Sequence, residues 1–239
     1  MIPFEKIAEK LGGWAHYFKP FYDSGGFEKI YTQLKEEGST IKIVPEGKDL
    51  FKAFELCPVD KLKTIWVSQD PYPMIKQGKV VADGLSYSCS HTKEEQPSLK
   101  KIFDSIETEL FDGLNLAFIR EPDLTYLASQ GILLLNSALT CQEEKPGSHK
   151  ELWNQFMNYF FTEVLCNFRG IPIVFMGKQA QYYNKFPCSE AFFIKEVEHP
   201  AKACYENRDW KSDGLFKWTN EIIKKQTGEE IDWICSPPF

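Results

Sequence analysis

Ser68-Gln69-Asp70-Pro71-Tyr72-Pro73 follows directly on an apolar run at residues 62–67, and this junction decides the fold. The apolar run is typical of a buried strand, and the prolines stiffen a turn that carries a carboxylate. In open α/β sheets the ligand crevice lies outside the carboxyl ends of the strands. The junction therefore predicts an α/β protein with a functional site at Asp70.

The rest of the chain supplies the other elements of such a fold. Apolar runs predict strands at 63–67, 132–135, 171–176 and 192–197. Helical spacing predicts helices at 27–34, 50–56, 99–110, 152–168 and 215–223. Strands that alternate with helices pair in parallel, so we expect an α/β fold with a central four-stranded parallel sheet flanked by helices. No repeat or linker divides residues 1–239, which predicts a single domain.

Composition narrows the class of protein. The net charge of −6 gives by itself no indication of a nucleic-acid partner. No apolar run is long enough to span a bilayer, and charged residues interrupt the N-terminal stretch, so we expect a cytoplasmic protein with no signal peptide and no membrane association. The seven cysteines contain no C-x-x-C pair, so we expect reduced packing thiols, with neither a disulfide framework nor a metal site.

Polar side chains follow the predicted strands where each strand ends. Asp70 follows the first, Asn136 the second, Gly177-Lys178-Gln179 the third and His199 the fourth. Each also has a purely structural explanation, because Asp70 can start a turn, Asn136 can satisfy loop backbone and His199 before Pro200 can form an extended corner. A parallel sheet brings all these ends to one edge, and the coincidence favours a functional site there.

Five motifs occur in an order that resembles family 1 uracil-DNA glycosylases, over residues 14–233. They are Gln69-Asp70-Pro71-Tyr72, the segment 83–88 with Gln96-Pro97-Ser98-Leu99, the strand 131–136, Ser148-His149 before Trp153, and His199-Pro200. The resemblance implies an enzyme that hydrolyses the N-glycosidic bond of uracil in DNA and leaves an abasic site. It also implies a monomer that needs no metal or cofactor.

The resemblance assigns roles in bond cleavage. Asp70 is implied to orient the attacking water and to stabilise the cationic sugar, while a neutral His199 donates toward the oxygen on which the leaving base gathers negative charge. Backbone amides of the Gln69 loop are implied to add further donors. These residue types fit the reaction, since a carboxylate and a hydrogen-bond donor stabilise opposite charges on the two sides of the bond.

The same resemblance identifies the residues that hold the base. Asn136 is implied to read uracil, because an amide can donate to a carbonyl and accept from an imide N–H, a pattern that cytosine does not match. Tyr72 would stand against the C5 edge and exclude a thymine methyl group. Tyr87 occupies the stacking position, where the family usually has Phe, so a flipped base would lie on its ring.

Contacts with the DNA backbone are implied at Ser98 and at His149. Both match family positions that grip or support the DNA backbone. Ser98 also stands where a cap for the helix beginning at Leu99 is expected, and the two roles are compatible.

Several residues depart from the family pattern. Ser68 replaces the usual Gly, and Pro73 replaces the usual His, a change associated with divergent poxvirus members. The family's His-Pro-Ser-Pro-Leu-Ser is His199-Pro200-Ala201-Lys202-Ala203-Cys204 here, so the leucine that wedges into the base stack is absent, and Ala201 replaces a serine that holds phosphate. We expect a DNA-contacting polar loop containing Ala201, Lys202, Ala203, Tyr205 and Arg208.

Loss of the wedge predicts a stronger preference for single-stranded DNA, because unstacking costs less when no partner base is lost. Tyr205 and Arg208 are the candidates to replace the leucine. Two alternatives remain beside uracil excision: a glycosylase for another modified base, and a non-catalytic DNA-binding or replication scaffold. A protein inhibitor or a processivity partner is a possible additional ligand. A nucleotide-binding enzyme is disfavoured, because neither G-x-G-x-x-G nor G-x-x-x-x-G-K-[ST] occurs.

Overall fold

A four-stranded parallel sheet forms the centre of the protein. The computed structural model describes residues 2–111 and 119–235, and the strands within these ranges are β1 (Ile43–Val44), β2 (Thr64–Ser68), β3 (Ile75–Lys76), β4 (Lys79–Val80), β5 (Ile132–Asn136), β6 (Cys141–Gln142), β7 (Pro172–Met176) and β8 (Phe193–Val197). The order in the central sheet is β5-β2-β7-β8, with every pair parallel. The predicted α/β fold with a four-stranded parallel sheet is confirmed. Two short antiparallel pairs, β1 with β6 and β3 with β4, were not expected.

Helices cover the sheet. They are α1 (Phe4–Leu11), α2 (Ala15–Asp23), α3 (Gly26–Gly38), α4 (Lys52–Leu56), α5 (Pro97–Phe111), α6 (Thr125–Ala128), α7 (Lys150–Tyr159), α8 (Lys178–Gln181), α9 (Pro200–Tyr205) and α10 (Leu215–Thr227). All five predicted helices are present with shifted ends, and α7 continues as a π-helical turn at Phe160–Val164. The expected polar loop after His199 is wrong in its first part, because these residues form α9. Pro200 there occupies the first turn of a helix, a position that proline favours.

Burial of the strands explains their apolar sequences. Every residue of β2, β5 and β7 is buried, as expected for strands covered by helices on both faces. β8 lies at an edge of the sheet, and 47% of the surface of Phe193 is exposed. Trp66 of β2 stacks on Trp233, with ring centroids 5.3 Å apart, so the end of the described chain packs against the central strand. One contiguous apolar core includes residues from Ile7 to Trp233.

The strand register aligns the carboxyl ends. Ser68 is paired with Asn136 across β2 and β5, and Met176 is paired with Val197 across β7 and β8. The turns that leave these strands consequently begin at one edge of the sheet. Asp70 and His199 each lie two residues beyond their strands, so the fold brings the predicted site residues to that edge.

Cys166 and Cys188 form a disulfide with a Cα separation of 5.5 Å, so the expectation of reduced thiols is wrong for this pair, while the other five cysteines are free. The spacing of these two residues carries no recognisable motif, and only the fold brings them together. In residues 2–111 and 119–235, no helix is long and apolar enough to cross a bilayer, and no group of three or more His, Cys, Asp or Glu side chains is arranged to hold a metal ion.

Candidate active site

Tyr87 lies among the residues predicted to act on the glycosidic bond. Its ring centroid is 5.5 Å from that of His199, at an interplanar angle of 44°. The Ser68 hydroxyl and the Asp70 carboxylate are also close enough to influence the pKa of Tyr87, which burial raises far above its ordinary value. Side chains from the ends of β2 and β8 therefore meet around one aromatic ring.

The Asp70 carboxylate is largely removed from water. Its Oδ2 accepts a hydrogen bond from the backbone amide of Gly147, which lies in the loop between β6 and α7. Burial raises the pKa of Asp70, and hydrogen bonds from Gly147 and from the Gln69 side chain act in the opposite direction. A carboxylate with few donors and little hydration keeps its charge available for a cationic partner.

Neighbouring strand ends hold the turn at Gln69 in place. The Gln69 carbonyl oxygen accepts from the Ala138 amide at 3.0 Å, from the Ser137 hydroxyl at 2.8 Å and from Gln179 Nε2 at 3.3 Å. Gln179 Nε2 also lies 3.1 Å from the Ser137 hydroxyl. These bonds tie the turn after β2 to the ends of β5 and β7, and so stabilise the position of Asp70.

The Asn136 side chain is buried at the end of β5, with 4% of the residue exposed. Its Oδ1 accepts a hydrogen bond of 2.5 Å from the Ser68 hydroxyl. Within the described part of the chain the amide nitrogen of Asn136 makes no hydrogen bond. The side chain therefore retains a donor, and a second lone pair on Oδ1, for a ligand.

A buried ion pair shapes the segment that carries Tyr87. Asp83 is fully buried, and its carboxylate accepts hydrogen bonds from the Ser88 hydroxyl at 2.7 Å and the Ser90 amide at 3.0 Å. Lys52 Nζ lies 3.2 Å from the same carboxylate. Burial acts against ionisation of Asp83, but Lys52 and the hydrogen bonds outweigh it and hold its pKa below the ordinary value.

Tyr87 itself adopts an unusual backbone conformation. Its φ of 64° lies in the left-handed region, which costs free energy for a residue with a side chain. The Asp83 network holds the backbone on both sides of this position. Strained residues concentrate at ligand sites, which agrees with a role for this ring in binding.

Tyr72 lies in the turn that follows β2, and its hydroxyl is buried. Burial raises its pKa well above the ordinary value, and no described residue forms a hydrogen bond of good geometry with its oxygen. A neutral phenol in this position presents a rigid wall rather than a charge.

The His199 imidazole is the N-cap of α9. Its Nδ1 accepts a hydrogen bond of 3.2 Å from the Ala201 amide, so in the neutral ring the proton resides on Nε2. Burial lowers the pKa of His199 to about 4, so the ring is neutral near pH 7. Gly177 permits this position, because a Cβ there would lie 2.8 Å from Cβ of His199.

The residues predicted to contact DNA occupy different environments. Ser98 is in the first turn of α5 and is 7% exposed, and Ala203 is fully buried in α9. Ala201 and Lys202 lie in the same short helix, with Lys202 Nζ 3.6 Å from Glu198. Tyr205 ends α9 and is 89% exposed, so it is the candidate that projects furthest into solvent. The buried Ala203 side chain is not available for a contact at the surface.

Arg208 and His149 are already engaged within the protein. Arg208 forms a bidentate pair with Glu198, at 2.5 and 2.7 Å, and also bonds Glu206. His149 is 1% exposed, with its ring nitrogens 2.7 Å from Thr140 Oγ1 and 2.9 Å from Glu37 Oε2. His149 therefore lies inside the loop that carries Gly147, in a position to support that loop.

Sequence reasoning did not identify several residues that build the site. Gly147, Ser137, Gln179, Asp83 and Lys52 hold its parts in place through the bonds described above. Of these, Ser137 and Gln179 carried a signal because each follows a predicted strand end, and Asp83 begins one of the motifs of the family resemblance. A cavity of about 1430 Å³ between α1, α3 and the chain near β1 is lined by none of the predicted site residues.

A carboxylate, an amide and a neutral imidazole at one edge of the sheet define a hydrolase-like site on an α/β fold, and comparisons with known proteins specify the family. The uracil-DNA glycosylase of Borrelia hermsii is 33% identical over 223 residues, covering 92% of this chain and 96% of that protein. The structure of mimivirus uracil-DNA glycosylase has a TM-score of 0.80 at 23% identity, covering 92% of this chain and 86% of the viral one. A variant of the mimivirus enzyme in complex with UGI has a TM-score of 0.81 at 23% identity, covering 93% and 88%. No protein-family profile matches the chain.

This chain belongs to the uracil-DNA glycosylase family.

Proposed function

We propose that this protein hydrolyses the N-glycosidic bond between uracil and deoxyribose in DNA, leaving an abasic site for base excision repair. One observation carries the proposal: Asp70, Asn136 and a His199 with its proton on Nε2 belong to the same sheet edge in a chain of this family. Water is the nucleophile, so the enzyme forms no covalent intermediate. The reaction requires no metal or cofactor.

On the sugar side, Asp70 stabilises the positive charge that develops as the bond lengthens. Its carboxylate also orients a water molecule, whose oxygen bonds to C1′ as the C1′–N1 electron pair leaves with the base. Gly147 donates to Oδ2 and the Gln69 side chain also bonds the carboxylate, and a remaining lone pair of the carboxylate accepts from the water. The proton released by the water passes to Asp70 or to solvent.

On the base side, His199 stabilises the departing uracil anion. The Ala201 amide occupies Nδ1, so Nε2–H is the donor that faces outward from the cap. A hydrogen bond from a neutral donor becomes stronger as negative charge builds on the uracil oxygen. The transition state is therefore stabilised more than the bound neutral base. The pKa of about 4 keeps this donor neutral under working conditions.

Selection of uracil follows from three side chains. Asn136 donates through Nδ2 to the O4 carbonyl and accepts the N3–H through Oδ1. Tyr72 closes the C5 edge against a thymine methyl group, and the ring of Tyr87 stacks on the flipped base. The retained Asn136 and Tyr72 favour uracil over a base with a larger C5 substituent. A glycosylase for another modified base is therefore the second candidate, favoured only by the added hydroxyl groups of Ser68 and Tyr87.

We also propose that Tyr205 replaces the absent leucine wedge. It is exposed at the end of α9, whereas Arg208 is held by Glu198 and Glu206. A polar-tipped ring on a short helix is expected to extract uracil from duplex DNA less readily than from single strands. With Pro73 in the turn, this agrees with a divergent member of family 1 that resembles poxvirus enzymes.

The proposed function also implies a substrate, an oligomeric state and a cellular location. The substrate is uracil-containing DNA, the enzyme acts as a monomer in the cytoplasm, and Ser98 contributes to a phosphate contact. The mimivirus complex with UGI suggests that a protein inhibitor can bind an enzyme of this fold. A catalytically inactive scaffold is disfavoured because Asp70, Asn136 and His199 are all retained.

Release of free uracil from matched single-stranded and duplex oligonucleotides tests the function. The wild-type protein is expected to produce abasic sites, and Asp70→Asn and His199→Ala to lose most of this activity. DNA binding without any abasic product would favour the scaffold. An Asn136→Asp variant is expected to admit cytosine, provided that its carboxyl group becomes protonated to give a complementary edge. Unchanged discrimination would contradict the base-reading role of Asn136.

A further inference from the structure

Ser68 stands where the family usually has glycine. Its hydroxyl contacts the side chain of Asn136, which is proposed to read the base. The register of the parallel pair sets it directly opposite Asn136. Its hydroxyl lies 2.5 Å from Asn136 Oδ1, and the two residues are 1% and 4% exposed. Glycine at this position would leave the amide without this contact.

The orientation of the Asn136 amide determines which base it can read. With one lone pair of Oδ1 held by Ser68, Nδ2 donates to the O4 carbonyl of uracil and the second lone pair of Oδ1 accepts from N3–H. In the opposite orientation, Nδ2 would bond the Ser68 oxygen, and Oδ1 would face the base and match the amino group of cytosine. A serine hydroxyl can donate or accept, so a further group is needed to set the direction.

Tyr87 supplies a donor that can set this direction. Its hydroxyl is buried, and it has no hydrogen-bond partner of good geometry within residues 2–111 and 119–235. Ser68 acts on the pKa of Tyr87, so the two hydroxyl groups are neighbours. Because the one proton of the Ser68 hydroxyl is donated to Asn136 Oδ1, Tyr87 is the hydroxyl that can donate between the two. A proton from Tyr87 toward the Ser68 oxygen directs the proton of Ser68 toward Asn136 Oδ1.

We propose that Ser68 is a positioning residue for base selection, which together with the Tyr87 hydroxyl holds the Asn136 amide in the orientation that reads uracil and rejects cytosine. The inference rests on the proposed glycosylase function and extends it to two positions where this chain carries hydroxyl groups in place of the usual Gly and Phe. Ser68 does not touch the reacting atoms in this scheme. It acts only through Asn136.

The test compares Ser68→Ala, Tyr87→Phe and the double variant, with kcat and KM measured for release of uracil and of cytosine from single-stranded oligonucleotides. Ser68→Ala removes the hydroxyl but keeps Cβ, and its kcat/KM for uracil is expected to fall by about 5- to 10-fold, as for one lost buried hydrogen bond. Its preference for uracil over cytosine is expected to fall as well. Tyr87→Phe retains the stacking ring and is expected to change kcat/KM by less than about 3-fold.

The double variant identifies the mechanism. If Tyr87 acts through Ser68, adding Tyr87→Phe to Ser68→Ala causes no further loss, so the two effects are not additive. Thr64→Val is the matched control, because Thr64 is a fully buried residue of the same strand whose hydroxyl bonds the Pro172 carbonyl at 2.9 Å, away from the site. It is expected to lower stability without changing the preference for uracil.

Two results overturn the inference: an unchanged uracil-to-cytosine preference in Ser68→Ala, or strictly additive losses in the double variant. A wild-type protein that releases no uracil would instead refute the proposed function. Melting temperatures of all four variants separate a loss of folding from a loss of selection, because a purely structural role of Ser68 would change stability and leave the base preference intact.

Discussion

The backbone amide of Gly147 donates a hydrogen bond to Oδ2 of Asp70, across 77 positions of sequence. This bond joins the loop before α7 to the turn after β2. Because its donor is a backbone amide, no side-chain motif in the sequence indicates it. It satisfies one oxygen of a carboxylate that burial otherwise disfavours. Keeping Asp70 ionised in this position therefore costs free energy in the folded protein.

Asp70→Asn is expected to abolish most activity while leaving the protein at least as stable. Burial raises the pKa of Asp70 in the folded state, so the folded protein binds this proton more tightly than the unfolded chain and ionisation opposes folding as the pH rises through that range. Asn removes the charge and keeps an acceptor for Gly147. Uracil release should fall by about 10²- to 10⁴-fold, and the urea midpoint at pH 7 should not decrease. A clearly lower midpoint with an unchanged m-value would contradict the cost assigned to this charge.

The neutral state of His199 predicts a pH dependence of stability. Its folded pKa of about 4 lies below the ordinary value of 6.5, so stability from this group is complete above pH 6.5 and is lost as the pH falls toward 4. Replacing His199 with Gln should remove this part of the pH dependence, as measured by melting temperature between pH 7 and 4. An identical pH profile in both proteins would exclude a neutral, buried imidazole.

A second group titrates in a lower range and must be distinguished from His199. Hydrogen bonds from Gln33 and Gln142 lower the pKa of Glu37 to about 2, and His149 acts in the same direction. Stability from Glu37 is therefore present above about pH 4.5 and is lost as the pH falls toward 2. A Glu37→Gln variant should keep the pH dependence between 6.5 and 4.5 and lose part of that below 4.5.

Breaking the Asp83–Lys52 pair is expected to cost stability and activity together. Asp83→Asn leaves Lys52 without its buried partner, and loss of one member of a buried pair costs about 3–5 kcal/mol in the free energy of unfolding. Because the same carboxylate holds the backbone on both sides of Tyr87, kcat/KM should fall at temperatures where the variant is still folded. Urea denaturation and initial rates measure the two effects. Asp209→Asn, at a fully exposed carboxylate, is the control and should leave the free energy of unfolding nearly unchanged.

Tyr205→Ala tests the wedge. The loss of activity should be several-fold greater on duplex than on single-stranded uracil substrates, since only the duplex must be unstacked and unpaired. Phe193→Ala removes another exposed aromatic ring, at the amino end of β8, and should leave the ratio of the two rates unchanged. Equal losses on both substrates would assign Tyr205 a general binding role and reject it as a wedge.

The sequence predicted the parts of this protein that depend on local pattern. Continuous apolar runs identified the buried strands β2, β5 and β7, and an apolar run interrupted by Lys195 and Glu196 identified the edge strand β8. The polar residues at the ends of the predicted strands identified Asp70, Asn136 and His199. Family resemblance added Tyr72 and Tyr87. The roles of these residues stay predictions until the variants are measured.

The remaining features depend on distant contacts that leave no periodic signal. Gly147 acts through its backbone, and Lys52 and Asp83 are joined only after folding. α9 was expected to be part of a loop because the family resemblance implies a DNA-contacting loop after His199, but Pro200 and the His199 cap start a helix there. The pairing of Cys166 with Cys188 likewise follows from the fold and from no motif.

Because β8 is an edge strand, the two parts of the site differ in the free energy needed to open them locally. Asp70 follows β2, which is paired on both sides, whereas His199 follows a partly exposed strand whose one pairing among residues 2–111 and 119–235 is with β7. Transient detachment of β8 would withdraw the donor for the leaving base while the carboxylate, its water and the base-reading amide remained assembled. Amide hydrogen exchange should therefore be faster in β8 than in β2, and mild heating should stop turnover before the core of the sheet unfolds.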